Sequence, residues 1–207
     1  MDRIRDILDY FGGCDQMNLT FVHSKELAPV AESLGGDIST SSPCTIVAAL
    51  AEATDAYTKH GGTPWEDPEA TLLLNHFGDW VAIYEPASMN ALEGMRFYQL
   101  SRKYGQAVNI KWNITGAGRV KYWKDGQAAL EFKLNQPELR AGFMADQADS
   151  LLADLNFAWR DPALPRNSWV VPWRESAFQL IERITGHRFS KSWFATEPHH
   201  RIRVPRH

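Results

Sequence analysis

Seven histidines, two cysteines and 25 carboxylates are the groups from which this 207-residue chain would have to build acid–base, nucleophilic or metal chemistry. Neither of the two strong metal spacings occurs: there is no His-Glu-x-x-His and no paired Cys-x-x-Cys. His199, His200 and His207 gather near the end of the chain, but adjacent histidines point to opposite sides of regular structure, and the ligand set is incomplete. Gly116-Ala117-Gly118 falls between two strand-like runs, whereas a dinucleotide-binding turn must open a helix whose N-terminus holds the pyrophosphate. A phosphate-loop Gly-Lys-Ser/Thr is also missing. Cys14 follows Gly12-Gly13, with His23, His60 and His76 as conceivable bases, yet no spacing ties nucleophile to base, and Gly-x-Ser-x-Gly is absent. Among the carboxylates, Glu66, Asp67 and Glu69 sit in an acidic loop, and Asp79 and Glu85 flank one apolar run. Glu85 is expected at the strand end facing water, since an ionised carboxylate is rarely buried. No catalytic residue, no metal ligand set and no cofactor is predicted.

What stands out instead is a charged row. Asn109, Lys111, Asn113, Arg119, Lys121, Trp123, Glu131 and Lys133 fall on alternate positions of three successive runs. Four cations, one anion and a tryptophan on one surface suit something anionic or flat; a solvated face is the plainer alternative, its basic residues also discouraging edge-to-edge association. The chain also carries eight tryptophans, most of them core candidates. Trp65, Trp159, Trp169 and Trp173 lie in loop-like segments, where large aromatic residues often anchor a partner. The predicted binding residues are therefore Lys111, Arg119, Lys121, Trp123 and Lys133 with Trp65, Trp159, Trp169 and Trp173.

The elements that must position this row lie between Thr71 and Leu134. Val108, Ile110, Trp112 and Ile114 alternate with polar residues, as do Val120 and Tyr122, and then Ala128, Leu130, Phe132 and Leu134. A period of two sends one row to each side of a strand, so a three-stranded meander is predicted with one covered and one open face. Asp125-Gly126 is a strong hairpin turn, because both residues tolerate positive φ. Thr71–Phe77 and Trp80–Glu85, joined by Gly78-Asp79, read as an earlier hairpin.

Around this sheet, helices are predicted over Asp2–Phe11; from Ser24 through Leu34; from Ser42 (cap) and Pro43 (first position) through Ala53; over Ser88–Tyr104, with Met95, Tyr98 and Leu100 buried; over Asp146–Ala158; and over Arg174–Thr185. Asn18–His23 is a short strand, and His187–Phe194 a closing strand or turn. The order points to an α+β fold: a mostly antiparallel sheet packed with helices from both terminal thirds. One domain, 1–197, is expected, with 198–207 as a basic C-terminal tail that frays or adds a strand to a partner's sheet.

Composition bounds the function. A net charge of −3 argues against a dedicated nucleic-acid binder. No run of 18 apolar residues and no signal-peptide core occur, so a cytoplasmic protein without membrane association is expected. Two distant cysteines fit reduced thiols better than a Cys14–Cys44 bridge.

Four blocks, taken in order, carry a resemblance: Asn18–Asp37 (NLTFVHSKELAPVAESLGGD), Gly78–Glu85 (GDWVAIYE), Val108–Phe132 (VNIKWNITGAGRVKYWKDGQAALEF) and Ser176–Phe194 (SAFQLIERITGHRFSKSWF). Together they resemble an uncharacterised, mainly actinobacterial family known only as a domain of unknown function. The resemblance covers most of the chain outside the tail and implies a cytosolic bacterial α+β protein; its motifs are structural, and it implies no catalytic residue. The expected function is a non-catalytic binding protein of the immunity or regulatory kind, with another protein as partner. An enzyme acting on a small molecule, with its pocket between the sheet and the Ser88–Tyr104 helix, is the alternative. A third reading is a binder of nucleic acid or an anionic small molecule on the basic face.

Overall fold

The computed structural model describes residues 2–10, 16–59, 69–86, 92, 94–113, 118–158 and 172–205. Two kinds of strand pattern organise it. Leu72-Leu-Leu and Trp80-Val-Ala-Ile-Tyr are apolar at successive positions, the pattern of strands covered on both faces. They belong to β3 (Glu69–Phe77) and β4 (Trp80–Tyr84), turned by Gly78 at φ 63°. The alternating runs form β5 (Gln106–Trp112), β6 (Gly118–Lys124) and β7 (Gln127–Lys133). As predicted, Asp125 (φ 49°) and Gly126 (φ 77°) both take the left-handed conformation of the tight β6–β7 turn.

β1 (Met17–Val22) joins the two groups, pairing with β4 on one side and β5 on the other. β2 (Ser42–Cys44), β8 (Gln136–Ala141) and β9 (His199–Pro205) complete a nine-stranded antiparallel sheet among the described residues, in the order β2-β9-β3-β4-β1-β5-β6-β7-β8. The architecture is α+β, with β1 at the middle of the sheet and the meander to one side of it.

Helices cover both faces. On the first lie α1 (Asp2–Tyr10), α3 (Ile46–Lys59), α6 (Pro172–Thr185) and α7 (Lys191–Ala195). Their core includes Ile7, Leu19, Phe21, Phe77, Trp112, Phe178 and Phe189. The aromatic rings meet mostly edge to face, as for Trp112 and Trp173 at 5.5 Å and 87°, the orientation that ring quadrupoles favour. On the second face, α2 (Leu27–Ser33) and α4 (Met95–Tyr104) close a smaller core of Val22, Val30, Leu72, Leu74, Ile83, Leu100 and Ile202. On the meander the second face, expected to be open, is covered by α4 at the Trp123 end and open at the other.

Several other expectations change. The basic tail is not a tail: its alternation of cations with Ile202 and Val204 makes β9, set between β2 and β3 in the chain's own sheet. Arg201 reaches Glu52 at 2.6 Å and Arg203 reaches Glu69 at 3.1 Å, so its charges are matched by this chain. Ser42 and Pro43 lie in β2 rather than capping a helix; Thr45 Oγ1 accepts the Ala48 amide at 3.1 Å and starts α3. The 88–104 helix is described only from Met95, which is exposed, and its buried side chains are Phe97, Leu100 and Ser101. The helix expected over 146–158 shortens to a 3-10 turn, Ala145–Gln147, and α5 (Asp149–Leu152); Asp154 at φ 60° bars its continuation. Phe189 leads into α7, where Ser190 Oγ accepts the Trp193 amide at 3.1 Å. No helix of the described residues is long and apolar enough to cross a membrane.

Candidate anion-binding site on the sheet face

The second face of β4-β1-β5-β6-β7 is crossed by lateral rows, and their chemistry changes from one to the next. Val81, Val22, Ala107 and Trp123 form one row, opposite one another in register. Ile83, Thr20, Asn109, Lys121 and Glu131 form the next. Beyond it, Asn18, Lys111, Arg119 and Lys133 stand opposite one another, with Gln136 of β8 facing Lys133. Glu85 continues that row on the β4 side, its amide donating to the Asn18 carbonyl at 3.1 Å. The face grades from apolar, through a row mixing hydroxyl, amide and one charge of each sign, to a row dominated by cations.

α4 explains where the gradient is shut and where it opens. It lies over the Trp123 end, where the indole meets Phe97 at 5.8 Å and Tyr98 at 6.3 Å, both edge to face. The Trp123 Nε1 donates to Glu131, a carboxylate in the adjoining row. Trp123 is therefore half-buried and engaged by its own chain. Gly126 keeps this closure tight: a Cβ there would come within 2.9 Å of the Tyr98 ring.

Between the middle row and the charged one, hydrogen bonds replace apolar packing. Asn109 Nδ2 donates to Thr20 Oγ1 at 2.9 Å and to Asn18 Oδ1 at 2.8 Å, and Asn18 Nδ2 donates to Glu85 at 2.7 Å. Asn18, Thr20, Glu85 and Asn109 are all buried. The exposed strand-end position expected for Glu85 is thus overturned: the carboxylate is inside and held by an amide, as a buried charge must be. Burial pulls the Arg96 guanidinium down from its ordinary value, and the Glu85 charge opposes that pull.

At the far end lies a half-open cleft of about 390 Å³, lined by Lys111, Asn113, Gly118, Arg119, Lys133, Asn135 and Gln136. Three cations and three primary amides share this lining. Gly118 lets the strands close beneath it, since a Cβ there would meet Leu134 Cδ1 at 2.6 Å. Lysines and arginine directly opposed across neighbouring strands concentrate positive charge at this end of the sheet.

Of the predicted binding residues, Lys111, Arg119 and Lys133 come together in this cleft; Lys121 stands one row away, between Asn109 and Glu131. Trp173 is a correction: it lies in the first turn of α6, 2% exposed and packed on Trp112, because an indole of that area is worth more in the core than in a loop. Trp65, Trp159 and Trp169 lie outside the described residues. Asn135 and Gln136 were missed; extending the period of two from Lys133 reaches Asn135.

The groups weighed for other chemistry are dispersed. His199 is buried in the first-face core, its ring 4.7 Å from Trp193, whereas His200 faces the other way, toward Ser41 at 3.0 Å. Burial holds the His199 imidazole below its ordinary value, against the opposing influence of the Glu197 carbonyl that meets its Nδ1 at 2.9 Å. Cys44 is free and buried, and burial raises its thiol. Cys14, His60, Glu66, Asp67 and His207 lie outside the described residues. Among the described residues no three His, Cys, Asp or Glu side chains are grouped to hold a metal ion.

Residues 16–207 match the profile of a family of unknown function, DUF6461, and the chain belongs to that family. No curated protein and no solved structure matches it.

Proposed function

We propose that this DUF6461 member is a non-catalytic binding protein whose partner presents negative charge to the open end of the sheet. The observation that carries the reading is the row Lys111–Arg119–Lys133, three cations in direct register on three adjacent strands and lining one cleft. The proposal includes a setting in the bacterial cytosol, among actinobacteria above all, and a role of the immunity or regulatory kind. The resemblance of the four sequence blocks supports that setting. A protein partner is the second reading, favoured by the exposed side chains of Leu139 on the edge strand β8 and Phe143 just after it.

Retention on a polyanionic resin tests the proposal. The chain is expected to elute from heparin at a salt concentration that falls sharply for Lys111→Glu plus Lys133→Glu. Lys25→Glu plus Lys59→Glu, which makes the same change in net charge at exposed positions outside the cleft, should elute almost as the parent does. Equal losses from the two double variants would remove the cation row as the contact.

A further inference from the structure

We propose that the group received by this cleft is a phosphoryl dianion carried on a small molecule, not a nucleic-acid strand. The inference rests on the preceding reading of the cation row as the ligand contact and narrows it to a ligand class.

Register supplies the first argument. Arg119 on β6 has Lys111 as its direct partner on β5 and Lys133 as its direct partner on β7. Neighbouring strands lie about 4.8 Å apart, so the two lysine backbones are roughly 10 Å apart with the arginine midway. Lysine and arginine side chains are long enough to meet from that spacing over the middle strand, and all three line the same cleft. A planar guanidinium offers two parallel N–H donors to two oxygens of one tetrahedral group, and the flanking ammonium groups add point charges from either side. That geometry suits a compact group with several oxygens and two negative charges better than a lone carboxylate, which uses up the fork and leaves the lysines little to bind.

The rest of the lining fits a small molecule. Asn113, Asn135 and Gln136 surround the cations with groups that both donate and accept, suited to hydroxyls or amides next to the phosphoryl group. About 390 Å³ is within the range of small-ligand clefts.

A single-stranded nucleic acid asks for other things. It needs a basic track with aromatic platforms on which bases stack. Along the strands the cation row leads to Lys121 and Glu131 and then to α4, so the track ends there. Trp123, the one aromatic residue of the predicted row, has Phe97 and Tyr98 against its ring and its Nε1 on Glu131. Among the described residues that line the cleft, none is aromatic.

The test is calorimetric titration of the full chain at constant ionic strength and pH 7.5 with three probes: glycerol 3-phosphate, sulfate and a twelve-residue oligothymidylate. Saturable one-to-one binding of glycerol 3-phosphate, tighter than that of either other probe, is the expected result. Arg119→Lys keeps the charge but loses the fork and should weaken that binding about tenfold or more. Lys133→Gln, a change at an exposed position, should weaken it while leaving the thermal midpoint within a few degrees. Sulfate binding more tightly would turn the site to sulfated ligands and overturn the phosphoryl assignment. Oligothymidylate binding more tightly, or Arg119→Lys binding as the parent does, would overturn it as well. If glycerol 3-phosphate fails to bind while heparin retention still depends on Lys111 and Lys133, this inference falls and the broader reading stands; loss of both removes both.

Discussion

The two halves of the sheet are built on different terms. β3 and β4 have apolar side chains on both faces, with α2 on one side and the aromatic core of α6 and α7 on the other, and β9 adds Ile202 and Val204 to the α2 side. β5, β6 and β7 share the first face of that core, but on the second they pass from Ala107 and Trp123, under α4, to an open row of cations. The closed half spends its residues on burial. The open half keeps three cations in register on neighbouring strands, lining a cleft. A face that departs from the rule followed by the rest of the sheet is where binding chemistry is to be sought.

The contrast can be broken at its strongest point first. Trp112 joins β5 to the first-face core, and Trp112→Ala should cost about 3–5 kcal/mol, measured by urea unfolding. A loss under 1 kcal/mol would mean that the meander is not anchored there. Next comes the junction of the middle and charged rows, where Asn18 donates to the buried Glu85 carboxylate and accepts from Asn109. Asn18→Ala leaves that charge short of a donor and should cost about 1.5–3 kcal/mol in the same measurement.

The closed half should also respond to pH. His199 is held neutral by burial, its folded value lying below the ordinary 6.5. The unfolded chain therefore binds more protons than the folded one between the folded value and 6.5. Stability contributed by His199 is complete above that window and is lost as pH falls through it. His199→Gln should flatten the dependence of urea stability on pH in this interval; an unchanged slope would assign the effect to other groups.

The smallest effect has the opposite sign. Lys133→Gln relieves one like-charge pair in the open half and should raise stability by about 0.2–1 kcal/mol while weakening anion binding. A variant both less stable and unchanged in binding would make the row structural.

Much of this division was legible in the chain. Period-two alternation from Val108 to Leu134 marked the meander and which residues share its polar face, and Asp125-Gly126 marked its turn. Helices were harder. Alternation reports that one set of side chains differs from the other, not what covers the polar set, so α4 over Trp123 and the burial of Asn109 and Glu85 could not be read locally. The end of the chain misled for a related reason: Arg201-Ile-Arg-Val has strand periodicity, but its partners β2 and β3 lie more than 100 residues away. Trp173 shows that tryptophan in a loop-like segment says little about exposure, because the neighbouring Trp112 that receives it comes from a distant strand. The cleft itself arises from cross-strand register, to which Gln136 contributes through a pairing that periodicity within one strand does not report.

Amide chemical shifts followed during titration with inorganic phosphate at constant ionic strength test the central claim most directly. The account predicts saturating shifts at Lys111, Arg119, Lys133, Asn135 and Gln136, with Val22, Ala107 and Trp123 under α4 unmoved. Shifts concentrated at that covered end, or spread evenly over the surface, would contradict it.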